Sequence, residues 1–378
     1  MTILRARFPA LQRCTYLNTA GGAPIPDVAR KAATAYYREA YRDGDAHWDE
    51  WLARTDGARD EVGGLVGCPP EHVAFVGNAS VGLNAAAFLD EPGSVGFAEC
   101  EFPSCTLPWI RRGFDASAWP VREDGYFDAD DVRWSIQKGA TTIVVSQVQF
   151  GTGFRADLCA IADVCRGAGV RLVVDATQGV AAFPIHATDY GIDVLVFSGY
   201  KWITSGYGVA AVVIPLGLSG SGSPLAGWRS QSDPFALVAD RLEPSTHGLA
   251  MEAGHPPFPG AFAMGAAAAI WHREGVETTA ETILNLMTHL HARMDSLGVP
   301  VLSTRDPAHM SGITMLGLED PAAAAAQLKA RGIVTSARAG GLRVSAHAYN
   351  TAAEIDLFAD TLADIAGLRP RARLRRVT

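Results

Sequence analysis

Between about residue 72 and residue 214, short apolar runs rich in β-branched residues alternate with stretches that can form helices. The runs are HVAFVG, SVGFAE, TTIVVSQV, RLVVDAT, DVLVFS and GVAAVVI. Runs that are apolar throughout, rather than at every second position, are typical of strands buried on both faces of a parallel sheet. We therefore predict an α/β fold in which helices cover both faces of a mostly parallel, mixed sheet. A ligand site is expected at the carboxyl ends of its strands.

The segments on either side of this region predict two further parts. Apolar residues spaced by three and four positions indicate helices between Asp27 and Gly67, and again in the long segment after EAGHPPFPG. From about Val299 the chain has short apolar runs, SGITMLGL and GLRVSAHA, and closing helices, which indicate a smaller α+β unit. We expect a large domain over residues 21–260, a connecting helix over 261–290 and a small C-terminal domain over 291–378.

Composition argues against several kinds of partner. The chain has 378 residues, of which 48% are hydrophobic and 19% charged, as in ordinary globular proteins. The net charge is −8 and the only basic run is the terminal RPRARLRRVT, interpreted as a solvated end, so no nucleic-acid partner is expected. Because no apolar run approaches the ~20 residues that a bilayer requires, we expect no membrane span and a cytoplasmic location. The six cysteines are scattered without C-x-x-C pairs, which predicts free thiols and no metal site.

Lys201 stands in an unusual setting, the segment VLVFSGYKWITSGYGVAAVVI. The chain has only four lysines, and this one lies between Tyr200 and Trp202 directly after a strand-like run. An ammonium group buried at a strand end is costly unless it is paired or neutralised. A functional lysine at the carboxyl edge of the sheet accounts for this position.

Other polar side chains are expected at the same edge. Asp175 ends the run RLVVD, Gln178 follows three residues later, and Ser198 ends the run before Lys201. Pyridoxal phosphate requires a carboxylate that keeps its ring nitrogen protonated and a lysine that forms a Schiff base. Gln178 fits a partner of the phenolic oxygen, and Ser198 a partner of the phosphate. This set of residues predicts a pyridoxal phosphate site.

A phosphate-binding element is also predicted in FVGNASVGLNAAA. A strand end is followed by small residues from Gly77 to Ser80 and by a helix beginning near Val81. Free N–H groups at a helix N-terminus bind anions. An ordinary serine-capped helix is the alternative interpretation, but the pattern around Asp175 and Lys201 favours the phosphate.

Seven motifs follow one another along nearly the whole chain: YLNTAGGAP, NASVGLN, AECEFPSCTLPW, VVDATQG, FSGYKW, EAGHPPFPG and LRVSAHAYNTAAEIDLF. Together they resemble the class V aminotransferase family, a group of fold-type-I pyridoxal phosphate enzymes. The family includes cysteine desulfurases, kynureninase and isopenicillin N epimerase. The resemblance implies a large cofactor-binding domain, a small C-terminal domain and an N-terminal segment, residues 1–20, near the active site. It also implies a homodimer with active sites at the interface.

By the same resemblance, the cofactor-binding residues are Ala79, Ser80, Phe102, Asp175, Gln178, Ser198, Tyr200, Lys201 and His255. The substrate-binding candidates are Asn18, Gln149, Arg338 and Arg343. Lys201 resembles the catalytic Schiff-base lysine. Phe102 falls where desulfurases have a ring-stacking histidine, and a phenylalanine can stack equally well; an ordinary core phenylalanine is the alternative.

Arg343 matches the arginine that holds the substrate's α-carboxylate, a task that suits the forked guanidinium. Arg338 is its rival, and a surface arginine is the other interpretation. Two positions depart from the family pattern. Tyr200 replaces a common histidine, and His255 replaces a threonine that reaches the neighbouring subunit's phosphate. Both can still donate a hydrogen bond.

The loop before Arg343, SARAGGLRVS, lacks the cysteine on which desulfurases accept sulfur, so desulfurase activity is disfavoured. The resemblance implies an amino-acid substrate that reacts through an external aldimine and a quinonoid. We expect β-elimination from a cysteine S-conjugate, because GWRSQSDPF, EAGHPPFPG and the short loop resemble epimerase-like proteins that include carbon–sulfur lyases of secondary metabolism. Transamination and epimerisation remain the alternatives. A degenerate, non-catalytic binding module is disfavoured by Lys201 and Asp175, and a dinucleotide site by the absence of G-x-G-x-x-G.

Overall fold

The computed structural model describes residues 3–218, 224–338 and 340–368; the basic run at 369–378 lies outside the described residues. The described strands are β1 (Thr15–Tyr16), β2 (Val73–Val76), β3 (Ser94–Ala98), β4 (Asp115–Trp119), β5 (Thr142–Ser146), β6 (Arg171–Asp175), β7 (Val194–Ser198), β8 (Ala210–Val213), β9 (Ile313–Leu316), β10 (Ile333–Val334), β11 (Ser336–Arg338) and β12 (Gly341–Ser345). The helices are α1 (Ile3–Ala6), α2 (Asp27–Asp43), α3 (Trp48–Val66), α4 (Ala79–Ala86), α5 (Leu107–Arg112), α6 (Ala129–Gln137), α7 (Leu158–Ala168), α8 (Ala187–Tyr190), α9 (Phe258–Glu274), α10 (Val276–Leu297), α11 (Pro321–Ala330) and α12 (Ala352–Ala366).

The central sheet has seven strands in the order β2-β8-β7-β6-β5-β3-β4. The strands from β7 to β4 pair in parallel, whereas β8 is antiparallel to both β7 and β2. The prediction of a mostly parallel, mixed sheet is confirmed, and each of the six apolar runs contains a strand. β4 has the sequence DASAW, whose mostly exposed residues give no apolar run by which a strand could be predicted.

Both faces of this sheet are buried. Along β5, Ile143 and Val145 belong to one hydrophobic cluster and Val144 to another, because successive side chains of a strand point to opposite faces. Helix α4 packs against β7 and β8 on the Val144 side, and α7 packs against β6. Helix α9 lies against α2 and α3. Because the parallel strands share one direction, their carboxyl ends meet at a single edge.

A smaller unit follows the sheet. Strands β11, β12 and β9 form an antiparallel sheet, and α10, α11 and α12 pack together beside it around a separate hydrophobic cluster. Residues 261–290 fall on two helices, since α9 ends at Glu274 and α10 begins at Val276, with Gly275 between them at a φ of +80°. A φ in this left-handed region favours glycine. The proposed domain boundaries remain a prediction.

The N-terminal segment joins this smaller unit. Strand β1 pairs in parallel with β10, and Asn18 forms an isolated bridge to Ser345 in β12. Asn18 is thereby held beside the strand that carries Arg343. No described helix is both long and apolar enough to cross a membrane.

Candidate active site

A cavity lies at the carboxyl edge of the parallel strands. Its lining residues are Asn78, Ala79, Ser80, Phe102, Ser104, Ser146, Val148, Phe150, Asp175, Thr177, Gln178, Ser198, Tyr200 and Lys201. Eight of the nine predicted cofactor-binding residues are in this set, and His255 is the exception. The cavity therefore brings together side chains that lie more than 100 positions apart in the sequence.

Lys201 follows β7 and lies in the cavity wall. Burial lowers the pKa of its ammonium group to about 8, against an opposing effect of the Asp175 carboxylate, while the positive charges of Arg343 and Arg338 lower it further. The Nζ atom lies 6.0 Å from the ring centre of Phe102 and 5.4 Å from that of Tyr200. The lowered pKa increases the neutral fraction of this amine at neutral pH, as a nucleophile or a base requires.

Asp175 ends β6 and is buried. Its Oδ1 accepts a hydrogen bond from the backbone N–H of Thr177 at 2.8 Å, and the thiol of Cys105 donates to Oδ2 at 3.4 Å. Burial and the charge of Asp175 raise the pKa of Cys105 well above its usual range, so the thiol stays protonated and acts as a donor. Donors to both oxygens stabilise the ionised carboxylate that a protonated pyridine nitrogen requires.

Gln178 is buried against the same wall of the cavity. Its Nε2 donates to the carbonyl oxygen of Ala20 at 3.1 Å, and its Oε1 accepts from the indole N–H of Trp202 at 2.8 Å. The amide therefore contacts the N-terminal segment on one side and the residue after Lys201 on the other.

The phosphate end of the site is built around the start of α4. The helix begins at Ala79, two residues before the predicted start, and Asn78 caps it by accepting from the backbone N–H of Val81. The hydroxyl of Ser80 lies 2.8 Å from that of Ser104, which comes from the segment after β3. The remaining free N–H groups of the first turn suit an anion.

Sequence reasoning did not single out Asn78, Ser104, Thr177 or Cys105 as site residues. Asn78 carried a recognisable signal, since asparagine is a preferred N-cap residue. The contact of Cys105 joins it to a residue 70 positions away, for which the local sequence gives no signal.

Aromatic rings form the open side of the cavity. Phe102 is 43% exposed and meets Phe150 edge to face, with ring centres 5.2 Å apart. Tyr200 stacks on Tyr207 at 4.2 Å, and burial raises the pKa of the Tyr200 phenol. A flat heteroaromatic ring fits beside the half-exposed Phe102 face.

Arg343 lies in the middle of β12, buried, with its Nη1 donating to the carbonyl oxygen of Phe150 at 3.1 Å. Its Nε is buried and has no hydrogen-bond partner among the described residues. Burial first, and then the positive charge of Arg338, lowers the pKa of this guanidinium to about 10. A buried cation without a carboxylate partner is suited to an anionic ligand.

Arg338 belongs to the neighbouring strand. In the register of the hairpin, Arg343 pairs with Ser336 and Gly341 pairs with Arg338, so the two arginines project from the same face. Arg338 is exposed and makes no ion pair with a described carboxylate.

Two amides complete the substrate candidates. Gln149 is buried and donates through Nε2 to Glu101 at 2.6 Å, while its Oε1 has no partner among the described residues. Asn18 Oδ1 is likewise buried and unpartnered there. Neither residue lines the cavity that contains Lys201.

His255 lies apart from this cavity. It is exposed, and its ring packs edge to face against Trp48 at 4.8 Å and Trp228 at 5.0 Å. Within one chain it therefore has no role at the cavity.

The residues present fit pyridoxal phosphate. A lysine with a lowered pKa, a buried carboxylate with donors on both oxygens, and hydroxyls at a helix start provide the three contacts that its aldehyde, ring nitrogen and phosphate need.

Comparison with known proteins agrees with this arrangement. The uncharacterized aminotransferase YcbU of Bacillus subtilis is 25% identical over 368 residues, covering 95% of this chain and 96% of YcbU. The apo structure of a cysteine desulfurase from Thermococcus onnurineus NA1 matches with a TM-score of 0.87 and 21% identity, covering 96% of this chain and 97% of that one. A complex of the cystine C-S lyase C-DES with its reaction product cysteine persulfide matches with a TM-score of 0.82 and 22% identity, covering 94% of this chain and 99% of that one. The two structural matches show a shared fold.

A sequence profile of the family described as Aminotransferase class-V matches residues 15–358, from β1 into α12. This span contains the cavity, Lys201, Asp175 and both arginines of the hairpin. The chain belongs to the class V aminotransferase family of pyridoxal phosphate-dependent enzymes.

Proposed function

We propose that this enzyme is a carbon–sulfur lyase, which eliminates the sulfur substituent from the β-carbon of a cysteine S-conjugate. The observation that carries the proposal is the position of the thiols. The hairpin segment before Arg343 contains no cysteine, and none follows Cys165 in the chain. No cysteine is among the residues that line the described cavity. Cys105 is the thiol that contacts Asp175, but it is fully buried behind that carboxylate and stays protonated, so it is not placed to receive a substrate sulfur atom. The sulfur is therefore released to solvent.

The remaining requirements of elimination are few. Bound pyridoxal phosphate supplies an electron sink that stabilises negative charge on the substrate's α-carbon. Lys201 Nζ removes the α-proton, a task for which its lowered pKa suits it. Arg343 holds the α-carboxylate and so orients the α-carbon toward Lys201. Asp175, held by the backbone N–H of Thr177, is the carboxylate that would pair with the ring nitrogen.

The relatives support sulfur chemistry without deciding its form. Cysteine desulfurases and a cystine C-S lyase are among the proteins of similar fold, and the product named for the latter is cysteine persulfide. Transamination is the second candidate, because YcbU is described as an aminotransferase. Epimerisation is the third outcome open to a family member.

One assay separates these reactions. The enzyme is incubated with cysteine S-conjugates and with methionine, which has no leaving group on its β-carbon. Elimination consumes one water and yields thiol, pyruvate and ammonia in equal amounts from the S-conjugates only. The intact keto acid of the substrate would indicate transamination, loss of enantiomeric purity would indicate epimerisation, and alanine in place of pyruvate would indicate desulfuration. Each of the last three results contradicts the lyase proposal.

We also propose a homodimer in the cytoplasm. His255, with its exposed position between Trp48 and Trp228, is placed to reach the phosphate of a second copy rather than that of its own chain. All six cysteines are free, as suits a reducing compartment. Light scattering at micromolar concentration should give twice the chain mass. A monomeric mass with full activity would contradict the dimer.

A further inference from the structure

The orientation of the Gln178 amide is fixed by one contact. Trp202 and Gln178 are both buried, and the indole Nε1 lies 2.8 Å from the Gln178 Oε1. An indole N–H can only donate a hydrogen bond. The oxygen of the amide must therefore face Trp202, and its NH₂ group must face the other way.

The NH₂ group of Gln178 carries two hydrogens. One goes to the carbonyl oxygen of Ala20. The other is left for a ligand in the cavity that Gln178 lines. If the amide were flipped, the cavity would receive an acceptor, which would repel the phenolic oxygen of pyridoxal phosphate. The indole of Trp202 thus selects the orientation that offers a donor.

Trp202 is in turn held by the smaller unit. His347 follows β12, and its Nε2 donates to the carbonyl oxygen of Trp202 at 2.9 Å. The backbone N–H of Ala348 donates to His347 Nδ1, and burial lowers the imidazole pKa to about 4, so His347 is the neutral tautomer with its proton on Nε2. This donor is present over the whole neutral pH range.

A close steric contact reinforces the link. A Cβ built on Gly312, just before β9, would lie 2.2 Å from the Cη2 atom of Trp202. Real Cβ atoms do not approach so closely, so the indole ring packs directly on the glycine backbone. Any shift of the strand β9 region toward the cavity must move Trp202.

We propose that Trp202 is a positioning residue that couples the placement of the smaller unit to the hydrogen bond which Gln178 donates to the phenolic oxygen of the cofactor. The proposal rests on the assignment of Gln178 to that oxygen and goes beyond it. Trp202 acts through Gln178 and through the backbone next to Lys201, and is not itself a catalytic residue.

The coupling has a spectroscopic consequence. A donor on the phenolic oxygen stabilises its negative charge and lowers the proton affinity of the neighbouring nitrogen, which shares a proton with it. Loss of the donor should therefore raise the pH midpoint of the cofactor's visible absorption band. One hydrogen bond to a charged group corresponds to about one pH unit.

The test uses the cofactor-loaded protein and three variants. Gln178→Leu removes the donor and should raise the midpoint by about one pH unit. Trp202→Phe keeps most of the ring volume but loses the N–H, so it should also raise the midpoint, by up to about one pH unit. Gly312→Ala leaves the indole N–H intact but displaces the ring, and should also raise the midpoint. The control is Trp119→Phe, because the indole N–H of Trp119 is buried without a hydrogen-bond partner among the described residues.

The outcomes separate the positioning role of Trp202 from the assignment of Gln178, and none of them depends on which reaction the enzyme catalyses. In one outcome, Gln178→Leu raises the pH midpoint while Trp202→Phe has the same midpoint as the Trp119→Phe control. That result overturns the positioning role of Trp202 and leaves the assignment of Gln178 intact. A shift in Trp202→Phe without one in Gly312→Ala overturns the coupling to the smaller unit. No shift in Gln178→Leu overturns the whole inference. If Trp202→Phe does not fold, Gly312→Ala decides, since it leaves the chemistry of Trp202 unaltered.

Discussion

The two halves of the candidate active site differ in how their polar groups are satisfied. On the cofactor side, both oxygens of Asp175 and both ends of the Gln178 amide have hydrogen-bond partners within the protein. On the substrate side, Arg343 Nε, Gln149 Oε1 and Asn18 Oδ1 are buried without a partner among the described residues. Such atoms are rare in folded proteins and each calls for an explanation.

This difference indicates on which side of the site the protein supplies all the hydrogen-bond partners by itself. The cofactor side is preorganised, because the chain supplies the groups that orient each contact. The substrate side retains a buried cation, a costly arrangement that the carboxylate of an amino acid can satisfy. Substitutions on the cofactor side should therefore alter cofactor chemistry, and substitutions on the substrate side should alter mainly substrate binding.

The largest effect is expected at Lys201, which serves both the cofactor side and the substrate side. Lys201→Ala removes both the covalent attachment of the cofactor and the base, so turnover should fall by on the order of 10³-fold or more. Borohydride reduction of the loaded wild-type protein, followed by peptide mapping, should place the pyridoxyl mass on Lys201. Lys329→Ala, in α11, is the matched control and should retain activity. Recovery of the mass on Lys138 or Lys329 would contradict the assignment.

The next effect isolates the substrate side. Arg343→Ala should weaken substrate binding about 30-fold or more, because truncating a buried guanidinium–carboxylate contact is costly. The visible spectrum of the bound cofactor should remain nearly unchanged, and Arg343→Lys should recover only part of the binding, since it loses the forked geometry. Steady-state kinetics and absorption spectra measure the two properties separately.

Arg338→Ala is the companion variant for this test. We expect a smaller loss than for Arg343→Ala, since Arg338 is exposed. If Arg343→Ala leaves the Michaelis constant and turnover within twofold of wild type while Arg338→Ala destroys them, the carboxylate belongs to Arg338.

The clustering of the cofactor-side residues at one edge of the sheet could be predicted from the sequence, because these residues follow a local pattern. Asp175 and Ser198 end apolar runs, and Lys201 comes just after one, so a parallel sheet necessarily brings them to one edge. Ser104, Cys105 and the contact of Trp202 with Gln178 could not be predicted in this way. They depend on how separate segments pack, and no periodicity in either segment encodes that contact. The unpartnered atoms of Arg343 and Gln149 are also visible only in three dimensions.

A smaller effect is expected on the pKa of Lys201, which the positive charge of Arg343 lowers. Lys201 should titrate at about pH 8 in the cofactor-free protein, so its reaction with an amine-specific acylating reagent should accelerate as the pH rises through that value. Arg343→Leu removes a positive charge that lowers this pKa, so the midpoint should move upward. Reaction rates are followed by mass spectrometry of the Lys201 peptide, with Lys201→Ala as the blank. An unchanged or lower midpoint in Arg343→Leu would contradict this coupling by charge.

The smallest effect concerns the phosphate end, where the cofactor side uses several weak contacts instead of one strong one. Ser104 lines the cavity and its hydroxyl lies 2.8 Å from that of Ser80, so Ser104→Ala removes a single neutral hydrogen bond. The expected loss is about 1 kcal/mol, or about fivefold in cofactor affinity. Substrate binding should be unaffected once the protein is saturated with cofactor, because Ser104 lies on the cofactor side. Thr106→Val is a matched control, since among the described residues the Thr106 hydroxyl bonds only to the carbonyl oxygen of Pro103 in the same segment. Fluorescence titration of the cofactor measures the affinity.

A Ser104→Ala enzyme that binds cofactor normally but binds substrate weakly would place Ser104 on the substrate side. That result would contradict the division of the site into a preorganised cofactor side and a substrate side with unpartnered polar atoms.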